Sequence, residues 1–118
     1  MRILIAGNMG YVGPAVVRQL RGKWPQAEII GLDSGYFAHC LTAAERLPES
    51  ELDAQMFGDV RDGPPMSLEG FDAVVQLAAV SNDPMGDAYS AATKAINQDS
   101  SLALARLAAA AGVRNFVF

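Results

Sequence analysis

An apolar run near the start of this chain, Arg2-Ile3-Leu4-Ile5-Ala6, breaks straight into Gly7-Asn8-Met9-Gly10-Tyr11-Val12-Gly13, and an amphipathic helical pattern follows at once. Strand, glycine turn and helix in immediate succession leave few folds open. The first N–H groups of a helix have no intrahelical partner and carry a partial positive charge, so a pyrophosphate fits there when no side chain blocks it. Gly7 permits a sharp exit from the strand, Gly10 a close approach of backbone to phosphate, and Gly13 tight packing of helix on sheet. A flexible surface loop is the competing reading, because short glycine patterns also arise without a ligand.

The rest of the chain continues the alternation. Val12, Val16 and Leu20, with Val17 beside them, form the stripe of a helix from Tyr11 to about Gly22, and Pro14 sits in its first turn, where a missing N–H costs nothing. Glu28–Leu32 reads as a second strand, ending at Asp33-Ser34-Gly35. An irregular stretch follows, with one short helix expected from Thr42, where Thr42-Ala43-Ala44-Glu45 has the form of a capping box. Ala54–Phe57 is a third strand, and Ala73–Ala79, almost continuously apolar, a fourth that is covered on both faces. A long helix is expected from Asp87 to Ala111, capped by Gly112 and burying Ile96, Ala103, Leu107 and Ala110. The chain stops at Phe116-Val117-Phe118, which reads as the opening half of a fifth strand. The expectation is one α/β domain over residues 1–118, a doubly wound parallel sheet of the Rossmann type ordered 3-2-1-4-5 and incomplete at its C-terminal side, hence an N-terminal fragment.

Composition removes several classes of function. The net charge is −4 and no run of Lys or Arg occurs, which argues against a nucleic-acid surface. Cys40 is the only cysteine and His39 the only histidine, so neither a disulfide nor a zinc site can be assembled. No stretch reaches the length of a membrane span, and a cytoplasmic location follows by default.

Asp33 stands twenty residues after Gly13, at the end of the second strand. A carboxylate there accepts hydrogen bonds from the adenosine ribose hydroxyls and repels a 2′-phosphate, so it favours NAD over NADP. A plain Asp-Ser-Gly turn is the alternative. The Gly-x-x-Gly-x-x-Gly spacing, with its Gly10-Tyr11-Val12-Gly13 core, resembles the extended branch of the short-chain dehydrogenase/reductase superfamily, the NAD-dependent epimerases and dehydratases of sugar nucleotides. The resemblance continues through Gly58-Asp59-Val60-Arg61-Asp62, Leu77-Ala78-Ala79-Val80 and Ser81-Asn82-Asp83-Pro84, in order along the whole chain. It implies NAD as cofactor, contacted by Gly7, Asn8, Met9, Gly10, Tyr11, Val12, Gly13, Asp33, Asp59, Val60, Leu77, Ala78 and Ala79. It places Asp59 at the adenine amino group and Ser81 or Asn82 on the substrate side. It also implies that Asn97 supports the proton relay, although an Asn at this point of a helix could equally face solvent.

The family's catalytic Tyr and Lys stand four residues apart on a helix after the fifth strand, and no such pair exists here. Tyr11, Tyr36 and Tyr89 are followed at that distance by Ala15, Cys40 and Thr93, while Tyr89 and Lys94 are five apart. No catalytic residue is assigned. The expectation is the NAD-binding portion of an enzyme acting on a nucleotide-linked sugar, inactive by itself, with an unfinished sheet edge that leaves homodimerisation open. Two alternatives are a non-catalytic dinucleotide sensor and a reductase of the same superfamily acting on a non-sugar carbonyl compound.

Overall fold

The computed structural model describes residues 1–37, 48–81 and 83–118. The helix expected from Thr42, the His39-Cys40 pair and Asn82 lie outside them. Five strands, β1 (Arg2–Ala6), β2 (Glu28–Asp33), β3 (Ala54–Phe57), β4 (Ala73–Gln76) and β5 (Asn115–Val117), form one sheet in the order β3-β2-β1-β4-β5. Every neighbouring pair is parallel, and the first strand made lies at the centre. The order reverses between β1 and β4, and the crevice at such a reversal is where open α/β sheets bind ligands.

Alternation along the strands divides the core in two. Ile3, Ile5 and Ile29 face α1 (Gly13–Lys23), packing with the fully buried Val17 and with Val16 and Leu20. Leu4, Ala6, Ile30, Leu32 and Val74 face the opposite helical layer and meet Leu104 and Ala108. Burial of each such aliphatic side chain stabilises the fold by about 1.5–3 kcal/mol. Pro14 lies at the start of α1 as expected, and Arg21 and Lys23 occupy its last turn, where positive charge suits the helix dipole. Short 3-10 turns occupy Pro48–Glu51 and Val60–Asp62.

Two sequence expectations need correction. The fourth strand ends at Gln76 rather than Ala79, because its partner β1 ends opposite it at Ala6 and the chain there turns at Gly7. The single long helix is instead α2 (Asp83–Ala88), α3 (Ser90–Lys94), a π-helical segment Ala95–Ser100, and α4 (Ser101–Ala110). Its buried face is also displaced by one position. Leu104 and Ala108 are inside, whereas Ala103, Leu107 and Ala110 are exposed and Ile96 is half-buried. Three polar residues, Asn97, Ser100 and Ser101, are also turned inward before Leu104, and each has a hydrogen-bond partner. Apolar periodicity alone therefore picks the wrong phase. The expected cap does form: Gly112, at φ +78°, donates to the Ala109 carbonyl while Val113 donates to Ala108, the two bonds of a Schellman motif.

Candidate functional site

The carboxyl ends of β1 to β4 open into one cavity of about 440 Å³. Gly7 and Gly10 form one wall, Leu32, Asp33 and Ser34 the next, Gly58 to Arg61 a third, and Leu77 to Val80 the fourth. Tyr36 and Phe37, packed edge to face with ring centres 4.9 Å apart, line it beyond β2, and Tyr89, Ala92 and Ile96 reach it from the helical layer.

The glycine turn is pressed into place from several sides. Gly7 has φ +86° and donates to the Leu32 carbonyl at 2.8 Å, and a Cβ on it would lie 2.4 Å from the Ala78 nitrogen. Glycine is therefore required there both for conformation and for the approach of the segment that follows β4. Gly10 differs: a Cβ on it would meet nothing closer than the Gly7 oxygen at 3.4 Å, so its face toward the cavity is open.

Asp33 joins the turn to the strand beside it. One carboxylate oxygen accepts the Met9 N–H at 2.9 Å and the other the Gly35 N–H at 2.8 Å. Each oxygen retains a lone pair for a further donor from the cavity. Asp59 caps the 3-10 turn by accepting the Arg61 N–H at 2.9 Å and is also gripped by the Arg61 guanidinium, which holds its carboxyl below the usual carboxylate range. A donor arriving from the cavity has to share Asp59 with Arg61.

Gly7, Gly10, Asp33, Asp59, Val60, Leu77, Ala78 and Ala79 thus share one cavity wall system, and the remaining turn residues do not. Asn8 is placed differently from Gly7 and Gly10. Its side chain is fully buried and bonded to Gln55, on β3, so it is not a wall of the cavity. Met9 and Gly13 are buried and Tyr11 and Val12 exposed, all four outside the lining, and Ser81 is likewise exposed outside it. Of the turn residues, Gly7 and Gly10 are those that line the cavity.

Asn97 faces inward and not toward solvent. From the π-helical segment its side chain donates to the Val80 carbonyl and accepts the Val80 N–H, both at 2.8 Å. The buried Gln76 adds a second tie, donating to the Ser101 hydroxyl at 3.1 Å and to the Ala78 carbonyl at 3.3 Å. Residues 78–80 are thereby fixed to the helical layer. Tyr36, Phe37, Arg61, Val80 and Tyr89 were missed as lining residues; the aromatic pair directly after Asp33-Ser34-Gly35 was the readable signal. Lys94 pairs with Asp99 at 2.6 Å. Among the described residues no group of three or more His, Cys, Asp or Glu could hold a metal ion, and no helix is long and apolar enough to cross a membrane.

The comparisons with known proteins converge on one family and its fold. A family model described as the NAD dependent epimerase/dehydratase family matches residues 3–118. No curated protein matches the chain significantly. Among solved structures, a short-chain dehydrogenase/reductase superfamily protein from Agrobacterium tumefaciens with bound NAD is 30% identical, at TM-score 0.73, over 100% of this chain and 32% of its own. DesIV, a dTDP-glucose 4,6-dehydratase from Streptomyces venezuelae with NAD and TYD bound, is 30% identical at TM-score 0.76, over 98% of this chain and 38% of its own. A UDP-glucose-4-epimerase from Stenotrophomonas maltophila with bound NAD and formylated UDP-arabinopyranose shares the fold at TM-score 0.77 and 24% identity, over 100% of this chain and 36% of its own. The chain therefore spans about a third of the length of the structures it matches.

Proposed function

Because this chain belongs to the NAD-dependent epimerase/dehydratase family, we propose that its cavity binds NAD and that the 118 residues are the cofactor-holding part of an enzyme acting on a nucleotide-linked sugar in the cytoplasm. The observation that carries the proposal is the meeting of Gly7, Gly10 and Asp33 in a single cavity at the reversal of strand order. The residues present fit the dinucleotide. The open face of Gly10 is a cradle that a side chain would fill, and the start of α1 supplies unpaired N–H groups for a pyrophosphate.

Asp33 receives the ribose hydroxyls, and the small residues Ala78 and Ala79 allow backbone to run close to the bound dinucleotide. Asp59, with Arg61 and Val60, borders the adenine end, and Ser81 or Asn82 lies on the substrate side. When bound, NAD supplies reversible two-electron oxidation of a carbon of the sugar. Net epimerisation and net dehydration are both compatible with that chemistry. The chain's own part is to hold and orient. The 118 residues contain no Tyr-x-x-x-Lys pair, and on this reading these 118 alone are inactive.

Calorimetric titration with NAD and NADP tests the assignment. Preference for NAD is expected, and Asp33→Asn, which keeps one acceptor oxygen but removes the charge, should narrow it by about tenfold, as expected for about 1.4 kcal/mol. Equal binding of NAD and NADP by the unaltered chain, or no binding to folded protein, would count against the proposal.

A further inference from the structure

Asn8 is the one amide side chain of the glycine turn, and it is withdrawn completely from solvent. Burying an amide is unfavourable unless its hydrogen-bonding groups are matched. Asn8 achieves this reciprocally: its Nδ2 donates to Gln55 Oε1 at 2.6 Å and its Oδ1 accepts from Gln55 Nε2 at 3.3 Å. Gln55 Nε2 also donates to the Met56 carbonyl at 2.9 Å, tying the pair into the backbone of β3.

The path between the two amides crosses β2. Gly31 lies in register with Ile5 on one side and Gln55 on the other, and a Cβ on it would come within 2.6 Å of Asn8 Cγ and Oδ1. The absence of a side chain at Gly31 is what lets Asn8 pass over the strand. Gly13, the first residue of α1, closes on the other side of Asn8, where a Cβ would lie 2.0 Å from the Asn8 carbonyl oxygen. Asn8 is thus gripped by β2, β3 and the helix start together.

We propose that Asn8 and Gln55 are positioning residues for the nucleotide, coupling the turn that faces the pyrophosphate to the strand that leads into Gly58-Asp59 at the adenine end. This rests on the NAD-binding reading above. A reciprocally paired polar link, buried at its Asn8 end, favours one arrangement of the groups it joins, which an apolar filler would not specify. The two ends of the nucleotide site are therefore set relative to each other before any ligand arrives.

The test uses Asn8→Ala, Gln55→Ala, the double variant and Gln55→Glu in the 118-residue chain, each checked for folding by circular dichroism. Amide hydrogen exchange at Gly7, Met9 and Gly10 is read without ligand, and NAD affinity by calorimetry. Both single alanine variants should speed exchange in the turn and weaken NAD about fivefold, the scale of one buried hydrogen bond. The double variant should be no weaker than either single one. Gln55→Glu, which can still accept from Asn8 Nδ2 but sets a carboxylate oxygen against Asn8 Oδ1 and the Met56 carbonyl, should weaken NAD at least as much as Gln55→Ala. Unchanged exchange and affinity in folded Asn8→Ala or Gln55→Ala, or two losses that multiply in the double variant, overturn the proposal. Should Asn8→Ala not fold, the half-buried Gln55 variants decide alone. If the unaltered chain takes up no NAD, the function proposed above fails, and unchanged exchange in the folded variants would still overturn the coupling.

Discussion

Gly13 and Gly22 belong to the same helix and have opposite tolerances. Gly22 has no atom within 4 Å of an added Cβ, so Gly22→Ala should raise stability by about 0.5–1 kcal/mol by reducing the entropy of the unfolded chain, visible as a higher urea midpoint. Gly13→Ala drives a methyl against the Asn8 backbone and should cost about 3 kcal/mol on the same measurement. Gly10 separates folding from binding. Its Cβ would make an ordinary contact at 3.4 Å with Gly7, so Gly10→Ala should fold with a near-unchanged midpoint while losing NAD uptake in calorimetry. A stability loss matching that of Gly13→Ala would show that Gly10 is a structural glycine only.

The π-helical segment Ala95–Ser100 brings Asn97 to Val80 and sets the phase of α4. Such segments interrupt an α-helix at modest cost and recur at functional sites. Asn97→Ala leaves a part-buried N–H and carbonyl of Val80 without their partner and should lower stability by about 2 kcal/mol in denaturant unfolding, with faster amide exchange at residue 80. These elements also show what was legible beforehand. Strand β3 was readable residue for residue, and the glycine turn and Asp33 were readable from spacing, because backbone sterics and helix-terminus electrostatics act locally. The inward face of α4 was not, because Ser101 and Asn97 are turned inward by hydrogen bonds to Gln76 and Val80, groups distant in sequence, which no local periodicity encodes. The burial of Asn8 was hidden for the same reason, its partner Gln55 standing on β3.

Carboxylates hold the sheet together from outside, and the whole molecule should be acid-sensitive through them. Asp53 is lowered from 3.8 chiefly by the Ile29 N–H and then by Arg21, Asp72 chiefly by the Arg2 N–H and then by Arg114, and Asp59 by Arg61. A carboxyl whose folded pKa lies below its unfolded value stabilises the fold above that unfolded value and loses the contribution as pH falls through the folded one. The melting temperature should therefore be level from pH 7 to about 5 and fall below about pH 4, with a shallower fall in Asp53→Asn. An unchanged acid limb in that variant would remove Asp53 from the account. The strand order carries a further consequence, for synthesis. β1 is made first and sits at the centre, yet its partner β4 begins at Ala73, and the bond from the Arg2 N–H to Asp72 spans 70 positions. At about 5–20 residues per second, a nascent chain carries Ile3, Leu4 and Ile5 with one edge unpaired for roughly 4–14 s. Translation speed and the chaperones that hold sticky segments near the ribosome thus bear directly on how much of this protein reaches its native state.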